Sequence, residues 1–488
     1  MSSLSQLWPQ PIWDYFGEIC RIPRLSKNEG KLRAYLKAFA SEHNLPSKED
    51  KIGNILIVRP ASPGYENVKT VVLQGHMDMV GAKNADYRHN WSVDPVIPVI
   101  EGDFVSARGT TLGADDGIGI ATQMAVLTDP EIKTGKIECL FTVDEESGMT
   151  GAINLQPGFF EGMTLLNLDS EDEGILFIGC AGGMDTVGTL KYSSEKPGND
   201  SFALEISLTG LHGGHSGDEI HKGYGNSLKL MNRILWNLDD MFGISVASFN
   251  GGNLRNAIPR EAYAVIAAKR TDKDLIINWI TEYEGVLREE FGETERGIKI
   301  TLNEVKIPES VMDTESQARL LNSLTCCPHG VIAWSHEMED LVETSSNLAA
   351  ISFEAGNVVK IITTQRSSVE SSKHDAAGMV RSCLRLAGAE VVHSDGYPGW
   401  KPSLKSEILA ITRKSYLKLF GKEPAVRAIH AGLECGLIYE KFRGIDMISF
   451  GPSIKGAHTT EEKIEIKTVQ MFWDLLTEVL RNIPSSAS

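Results

Sequence analysis

Apolar and polar positions alternate in short blocks along the first third of the chain. Short apolar runs predict buried strands at residues 54–58, 70–73, 137–143 and 165–168. Residues 118–127 have the spacing of a helix between two of these strands, and Ser26 with Glu29 forms a capping-box pattern before an earlier helix. Strands that alternate with helices favour an α/β fold, with a mixed, mostly parallel sheet flanked by helices.

The pattern changes near residue 185 and returns near residue 399. Residues 202–208 alternate like a half-exposed strand. Helical spacing follows at 226–238, 274–291, 316–324 and 372–387, and later at 406–420 and 468–483, with an apolar run at 447–450. We expect one α/β domain from residues 1–185 and 399–488. The insert, residues 186–398, should be an α+β domain, large enough for two α+β sandwich subunits.

Charge and composition narrow the function classes. The 488 residues carry 48 Lys and Arg against 65 Asp and Glu, which gives a formal net charge of −17. Such an acidic protein repels phosphate backbones and anionic membrane surfaces, so we expect neither nucleic acid nor membrane as a partner. No apolar stretch has the length of a membrane span.

The beginning of the chain and the cysteines point to the cytoplasm. Residues 1–20 lack the basic and unbroken apolar regions of a secretory signal. The seven cysteines are scattered, and none forms a C-x-x-C pair. We therefore expect reduced thiols and a cytoplasmic location.

Side chains that bind metals follow the predicted strands. Ligands of open α/β sheets bind beyond the carboxyl ends of the strands. Charged groups at the ends of apolar strands are costly unless they face a cleft, pair or hold a cation. The side chains in question are His76, Asp78, Asp115, Glu145, Glu146 and Asp169, with His458 in a later loop.

Each of these signals has an ordinary structural alternative. His76 and Asp78 could form a surface ion pair, although their spacing also suits a carboxylate that orients an imidazole from behind. The adjacent Glu145 and Glu146 could be an acidic turn, or a general base beside a metal ligand. An Asp before a helix could be an N-cap, which fits Asp116 better than the neighbouring Asp115.

The combination is more specific than its parts. His76, Asp115, Glu146, Asp169 and His458 supply two imidazoles and three carboxylates. If one carboxylate bridges, two neighbouring divalent ions receive three protein ligands each. Mixed nitrogen and oxygen ligands favour zinc, with cobalt or manganese as alternatives.

The motifs around these residues resemble a known family across most of the chain. The chain is similar to the di-zinc metallopeptidases that include carboxypeptidase G and peptidase T, and within them to the aminoacyl-histidine dipeptidases, or peptidase D group. The matching segments are 72–80 (VLQGHMDMV), 107–115 (ARGTTLGAD), 144–149 (DEESGM), 178–183 (IGCAGG), 211–217 (LHGGHSG), 249–260 (FNGGNLRNAIPR) and 430–436 (HAGLECG).

The resemblance implies a role for each candidate side chain of the metal centre. Asp115 would bridge two ions. His76 and Asp169 would complete one site, and Glu146 and His458 the other. Glu145 would act as general base and then acid, and Asp78 would hold His76. The resemblance also implies a cis peptide bond between Asp115 and Asp116.

The resemblance further implies that the insert is a lid domain. His215 would stabilise the oxyanion, although the residues alone do not favour it over His212. Asn256, Arg366 and Gly432 would bind the substrate, with Arg366 suited to its free carboxylate. His430 and Glu434, four residues apart, offer a weaker metal pair on one helix face.

The activity expected from this resemblance is hydrolysis of unblocked dipeptides, preferably with a C-terminal histidine, in a homodimer. One alternative is an N-acyl amino acid deacylase on the same scaffold, and another is a catalytically silent binding protein. A dinucleotide-dependent oxidoreductase is disfavoured, because no G-x-G-x-x-G follows the early strands.

Overall fold

The computed structural model divides the chain into two compact units. Unit 1 comprises Met1–Cys180, Trp400–Ala428 and Leu433–Ser488, and unit 2 comprises Ala181–Gly399 and Ile429–Gly432. The structure describes residues 3–486, so the outermost positions of the predicted α/β domain (1, 2, 487 and 488) lie outside the described residues.

Twelve α-helices lie in the described part of the chain. They are α1 (Gln10–Ile19), α2 (Gly30–Glu42), α3 (Ala114–Thr128), α4 (Glu145–Gly148), α5 (Thr150–Asn154), α6 (Ser227–Phe242), α7 (Lys273–Phe291), α8 (Thr314–Cys326), α9 (Glu370–Leu386), α10 (Glu407–Phe420), α11 (Glu434–Lys441) and α12 (Ile466–Arg481). None of the helices among residues 3–486 combines the length and the apolar character needed to cross a bilayer.

The strands of residues 3–486 form four sheets. They are β1 (Ser47–Glu49), β2 (Ile55–Arg59), β3 (Val71–His76), β4 (Pro98–Glu101), β5 (Phe104–Ala107), β6 (Ile137–Thr142), β7 (Thr164–Asn167), β8 (Ile175–Cys180), β9 (Gly182–Lys191), β10 (Ser194–Glu195), β11 (Ser201–Thr209), β12 (Ser245–Gly251), β13 (Ala262–Lys269), β14 (Lys299–Val305), β15 (Val311–Met312), β16 (Gly330–Trp334), β17 (Val342–Glu354), β18 (Val358–Ser367), β19 (Glu390–His393), β20 (Ala425–Ile429), β21 (Asp446–Ser449), β22 (Ile454–Lys455) and β23 (Lys463–Glu465).

The sheet of unit 1 is mixed, with parallel strands at its centre. Its order is β1-β2-β6-β3-β7-β21-β8-β20. The four central strands β6, β3, β7 and β21 run parallel, whereas β2 and β8 pair antiparallel with them. Every residue of β3 and β6 is buried, as expected for central strands covered on both faces. The predicted α/β class and the predicted strands are confirmed.

Unit 2 contains one large antiparallel sheet. Its order is β14-β11-β13-β12-β17-β18-β9-β19, and β16 also pairs with β17. The first four strands and the last four meet through a single register pair, Gly251 opposite Ile351. The strands of both halves of unit 2 therefore belong to one continuous sheet. One cluster of buried side chains, from Leu190 to Ala389 along the chain, also includes residues of both halves.

Candidate functional site

The central strands of unit 1 bring the first two candidate ligands together. His76 is the last residue of β3, and Asp169 follows β7 by two positions. The two strands are parallel and in register, with Gln74 opposite Asn167. Their carboxyl ends therefore meet at one edge, where His76 Nε2 lies 3.2 Å from Asp169 Oδ1.

Asp115 connects this pair to the remaining candidate ligands. Its Oδ1 lies 2.9 Å from His76 Nε2, and its Oδ2 lies 3.1 Å from His458 Nε2. The same His458 nitrogen lies 2.9 Å from Glu146 Oε2. Among the described residues, two groups could hold a metal ion, and they share Asp115: one adds His76 and Asp169, the other Glu146 and His458.

The donor atoms of both groups fit divalent cations. Within each group they lie within 4.8 Å of one another. The close contacts of 2.9–3.2 Å resemble the spacing of about 3.3 Å between two ligands bonded at about 2.0 Å to one tetrahedral ion. Glu146 Oε1 is buried without a hydrogen-bond partner. Three clustered carboxylates are costly without compensating positive charge.

The electrostatic balance shows how strongly this place attracts positive charge. Asp115 and Glu146 raise the pKa of the His458 imidazole to about 11. Burial raises the pKa of the Asp169 carboxyl to about 6, and the negative charges of Asp115 and Glu146 add to this effect, while His76 opposes it. Cations bound between these groups would relieve the same repulsion.

The Asp78 carboxylate contacts two of the segments that carry candidate ligands. Its Oδ1 lies 3.5 Å from His76 Nδ1, on the side of the ring opposite the ligand nitrogen. The same oxygen accepts the backbone N–H of Glu145 at 2.9 Å, while Oδ2 accepts the N–H of Glu146 at 3.1 Å and the hydroxyl of Ser26 at 2.8 Å. Asp78 therefore orients one imidazole and the beginning of α4 at the same time.

The Glu145 carboxyl lies at the beginning of α4, shortly after the end of β6. Burial raises its pKa well above the ordinary value; His76 opposes the shift, and the negative charges of Asp169, Glu434 and Glu146 reinforce it. A carboxyl group that holds a proton readily in a partly dry site has the properties of a general base and acid.

Asp116 lies beside the proposed bridging residue and holds the backbone. The peptide bond between Asp115 and Asp116 is cis, which confirms the expectation from the sequence. Asp116 Oδ1 accepts the N–H of Gly119 at 3.1 Å, as an N-cap does, and Oδ2 accepts the N–H of His76 at 3.1 Å. A Cβ atom at Gly75 would overlap that carboxylate, so glycine is required there.

Glu462 is a supporting residue that the sequence did not reveal. Its buried carboxylate accepts the four consecutive backbone amides of residues 112–115, at 2.7, 2.9, 2.8 and 3.3 Å. It lies four positions after His458, so it joins the loop of that candidate ligand to the loop of Asp115. The only sequence signal is an acidic pair after a histidine, which is typical of many helix caps.

Arg24 is a second side chain that the sequence did not reveal. It is 2% exposed, and its Nη1 donates to the carbonyls of Met77 and Asp78 at 3.0 and 2.6 Å. Its Nη2 donates to the carbonyl of Gly113. It therefore binds the segment after β3 to the Asp115 loop. No local pattern distinguishes an arginine that will be buried from one that will be exposed.

His215 lies in the glycine-rich turn of unit 2. The backbone N–H groups of Gly217 and Asp218 donate to its Nδ1 at 3.3 and 3.0 Å, and Asp218 Oδ2 lies 3.3 Å from the same nitrogen. A ring that accepts these N–H groups at Nδ1 carries its proton on Nε2. By contrast, His212 stacks on Tyr224 with ring centroids 4.2 Å apart. His215 therefore presents a hydrogen-bond donor, as an oxyanion ligand must.

The predicted substrate residues have different surroundings within unit 2. Arg366 on β18 is 6% exposed and donates from Nη1 to the hydroxyl of Tyr397 at 2.9 Å, while its Nε has no partner. Arg366 and Asn256 line a common cavity of about 270 Å³. Gly432 is half-buried in the loop after β20 and belongs to none of the described cavities.

The suggested metal pair of His430 and Glu434 is wrong as a helical pair. Helix α11 begins at Glu434, so His430 lies outside it. His430 Nε2 is 2.7 Å from the Ser345 hydroxyl, whereas Glu434 Oε2 accepts Gln74 Nε2 at 2.7 Å and the Thr142 hydroxyl at 2.6 Å. Neither residue belongs to a candidate metal group in the described part of the chain.

Two relatives match the chain over its full length. The cytosol non-specific dipeptidase of Escherichia coli (strain K12) is 42% identical over 485 residues, which cover 99% of this chain and 100% of that protein. The crystal structure of aminoacylhistidine dipeptidase from Vibrio alginolyticus has a TM-score of 0.94 at 44% identity and covers 100% of this chain and 99% of that one.

More distant structures share the fold. A tripeptidase from Staphylococcus aureus has a TM-score of 0.57 at 16% identity, covering 98% of this chain and 99% of that one. The model of peptidase family M20/M25/M40 matches residues 72–482, which include every candidate metal ligand. This chain belongs to the peptidase family M20/M25/M40.

Proposed function

We propose that this protein is a metal-dependent dipeptidase that hydrolyses unblocked dipeptides with two divalent ions, preferably zinc, with cobalt or manganese as alternatives. The carrying observation is that the two candidate ligand groups share Asp115, with one carboxylate oxygen toward each group. His76 and Asp169 would hold one ion, and Glu146 and His458 the other. The full-length relatives named as dipeptidases support the substrate class.

The chemistry divides between the ions and the side chains. When bound, divalent ions supply Lewis acidity, which polarises a carbonyl and lowers the pKa of water. Glu145 takes a proton from the attacking water on its carboxylate and returns it to the nitrogen of the leaving amine. Asp78 keeps His76 and the beginning of α4 in position during this transfer.

The lid residues would serve the transition state and the substrate. His215 Nε2 would donate to the oxygen that becomes negative as the carbonyl is attacked. Arg366 would pair with the free carboxylate of the dipeptide, and Asn256 and the backbone of Gly432 would orient its peptide group. We propose that unit 1 is the catalytic domain and that unit 2 is a lid that must close for turnover.

The preference within dipeptides follows from the two relatives. One is named for aminoacylhistidine and the other as non-specific. We propose that C-terminal histidine is the preferred residue and that others are accepted. We also propose a cytoplasmic homodimer: the scattered cysteines without a C-x-x-C pair favour the cytoplasm, and the resemblance described above implies the dimer. Light scattering of the purified protein tests the dimer.

The decisive experiment is a substrate and metal panel. Protein stripped with a chelator is titrated with zinc, cobalt or manganese and assayed on Ala-His and on N-acetyl-Ala-His. We expect activity to return with two ions per chain and to be confined to the free dipeptide. Preference for the acetylated compound would instead identify a deacylase. Failure to hydrolyse either compound at full metal loading would reject both enzymes in favour of a binding protein.

A further inference from the structure

A polar cavity in unit 2 has the size of a single amino-acid residue. Its volume is about 270 Å³, just below the roughly 300 Å³ at which ligand pockets for larger molecules begin. Arg366 and Asn256, the proposed substrate residues, form part of its wall. The remaining wall includes Asp185 and Arg255, which have no role in the proposed reaction.

The sheet register explains why these polar groups face the same space. Strands β9 and β18 pair antiparallel, with Asp185 opposite Thr364 and Gly183 opposite Arg366. Residues two apart on a strand point to the same face. Asp185 and Arg366 are therefore neighbours on one face. A Cβ atom at Gly183 would overlap the ring of Tyr397, which also lines the cavity.

Asp185 and Arg255 form an ion pair on the wall of this cavity. Arg255 Nη1 lies 2.9 Å from Asp185 Oδ2, while Asp185 Oδ1 accepts the Thr364 hydroxyl at 2.7 Å. The Arg255 side chain is 61% exposed and that of Asp185 22%. An ion pair that solvent reaches contributes little to stability, so a ligand can replace either partner at small cost.

We propose that the Asp185–Arg255 pair recognises the side chain of the C-terminal residue of the dipeptide. This inference rests on the proposed function. Arg366 holds the main-chain carboxylate, and the side chain inserts at the ion pair. A carboxylate side chain pairs with Arg255, and an ammonium group pairs with Asp185. A neutral imidazole both accepts and donates a hydrogen bond, so histidine uses both partners at once.

This arrangement reconciles broad acceptance with a preference for histidine. A pocket of one fixed charge would reject side chains of the same sign. A pair of opposite charges offers a partner to each sign, and a neutral ligand satisfies both partners only when it has a donor and an acceptor. Imidazole is such a group.

The test removes each partner separately and compares substrates of opposite charge. The variants are Arg255→Ala and Asp185→Asn, assayed on Ala-Asp, Ala-Lys, Ala-His and Ala-Leu. Arg255→Ala should lower kcat/KM for Ala-Asp about tenfold and raise it for Ala-Lys, because a charged hydrogen bond is lost and Asp185 is freed. Asp185→Asn should do the reverse. Both variants should lower kcat/KM for Ala-His, and neither should change that for Ala-Leu by more than about twofold.

Matched controls come from another exposed ion pair of the same unit. Arg270 Nε lies 3.9 Å from Asp200 Oδ1, away from the cavity wall. Arg270→Ala and Asp200→Asn should leave all four kcat/KM values at the wild-type level. Thermal melting of all variants establishes that each is folded.

Direct binding separates this inference from the proposed function. Calorimetry with free L-aspartate, L-lysine and L-histidine measures the pocket without turnover. If the wild type hydrolyses no dipeptide but the variants shift amino-acid binding with opposite signs, the dipeptidase proposal fails and the pocket assignment stands. If the wild type is active and both variants change Ala-Asp and Ala-Lys by the same factor, the pair does not recognise the side chain and the inference is overturned.

Discussion

The candidate metal centre of unit 1 and the polar cavity of unit 2 treat charge in opposite ways. In unit 1, five candidate ligand side chains converge until their donor atoms are 2.9–3.2 Å from a neighbour, and supporting carboxylates fix the backbone around them. In unit 2, Asp185 and Arg255 form an ion pair that solvent reaches. Side chains held in fixed positions suit a reaction step that is the same for every substrate. An ion pair whose partners a ligand can replace suits the recognition of substrate side chains that differ in charge.

The two places also differ in how many buried side chains hold the surrounding backbone. The clustered carboxylates of the candidate metal centre repel one another. Buried side chains such as Glu462, Asp116 and Arg24 form hydrogen bonds with the backbone of its loops and keep these loops in place. The cavity needs no such supporting residues, because the opposite charges of Asp185 and Arg255 attract each other. Mutations should therefore damage unit 1 by misplacing groups and unit 2 by changing selectivity.

Loss of the shared carboxylate should have the largest effect. Asp115→Asn removes one charge from both ligand groups, so we expect both ions to bind poorly and kcat/KM to fall about 10⁴-fold, since each ion supplies several kcal/mol. Metal analysis after dialysis, together with the dipeptide assay, measures this. Asp103→Asn, an exposed carboxylate of the same unit, is the control. Retention of two ions by the Asp115→Asn enzyme would contradict a bridging role.

Loss of the proposed base should leave the ions in place. Glu145→Gln keeps the size of the side chain but cannot take a proton, so kcat should fall about 10²- to 10⁴-fold with unchanged metal content. The surface variant Glu131→Gln should behave like the wild type. A Glu145→Gln enzyme with near wild-type kcat would show that another group carries the proton.

The proposed oxyanion histidine should affect rate rather than metal binding. His215→Asn should lower kcat about 10²- to 10³-fold, because one donor to the oxyanion is lost, while the metal content of unit 1 stays at two ions. His212→Asn removes a stacked ring from the same turn and serves as the control. Equal losses in both variants would mean that the turn, and not the His215 imidazole, matters.

Loss of the Glu462 carboxylate should have the smallest effect of the four substitutions, and this effect should appear in the affinity for zinc. Glu462→Gln replaces an acceptor oxygen of the four-amide cradle with a donor, so the Asp115 loop loses its anchor and zinc affinity should fall about 10- to 100-fold. Competition with a chromogenic chelator measures this without any assay of activity. The adjacent exposed variant Glu461→Gln should bind zinc normally. If the Glu462→Gln enzyme bound zinc with unchanged affinity, the four hydrogen bonds of Glu462 would serve folding and not metal binding.

Strands and helices were predicted well where a single pattern determined them. The fully buried β3 and β6 are apolar runs in the sequence, and α6 to α9 have amphipathic spacing, because burial on two faces or one face leaves a direct mark on the sequence. The capping box was wrong. Ser26 instead donates to Asp78, and Glu29 accepts the N–H groups of Lys27 and Asp144. The sequence around a residue that caps a helix looks the same as the sequence around a residue whose side chain bonds to a distant segment.

By itself, the sequence determined the α/β class, the chemical types of the candidate ligands and their positions after apolar strands. These follow from local periodicity and from the cost of burying charge. Tertiary structure alone decided that two oxygens of Asp115 face different imidazoles, that Glu462 holds the Asp115 loop and that Asp185 pairs with Arg255. Such contacts join segments as far as 350 residues apart, and their geometry depends on how strands pair in register, which no local pattern records.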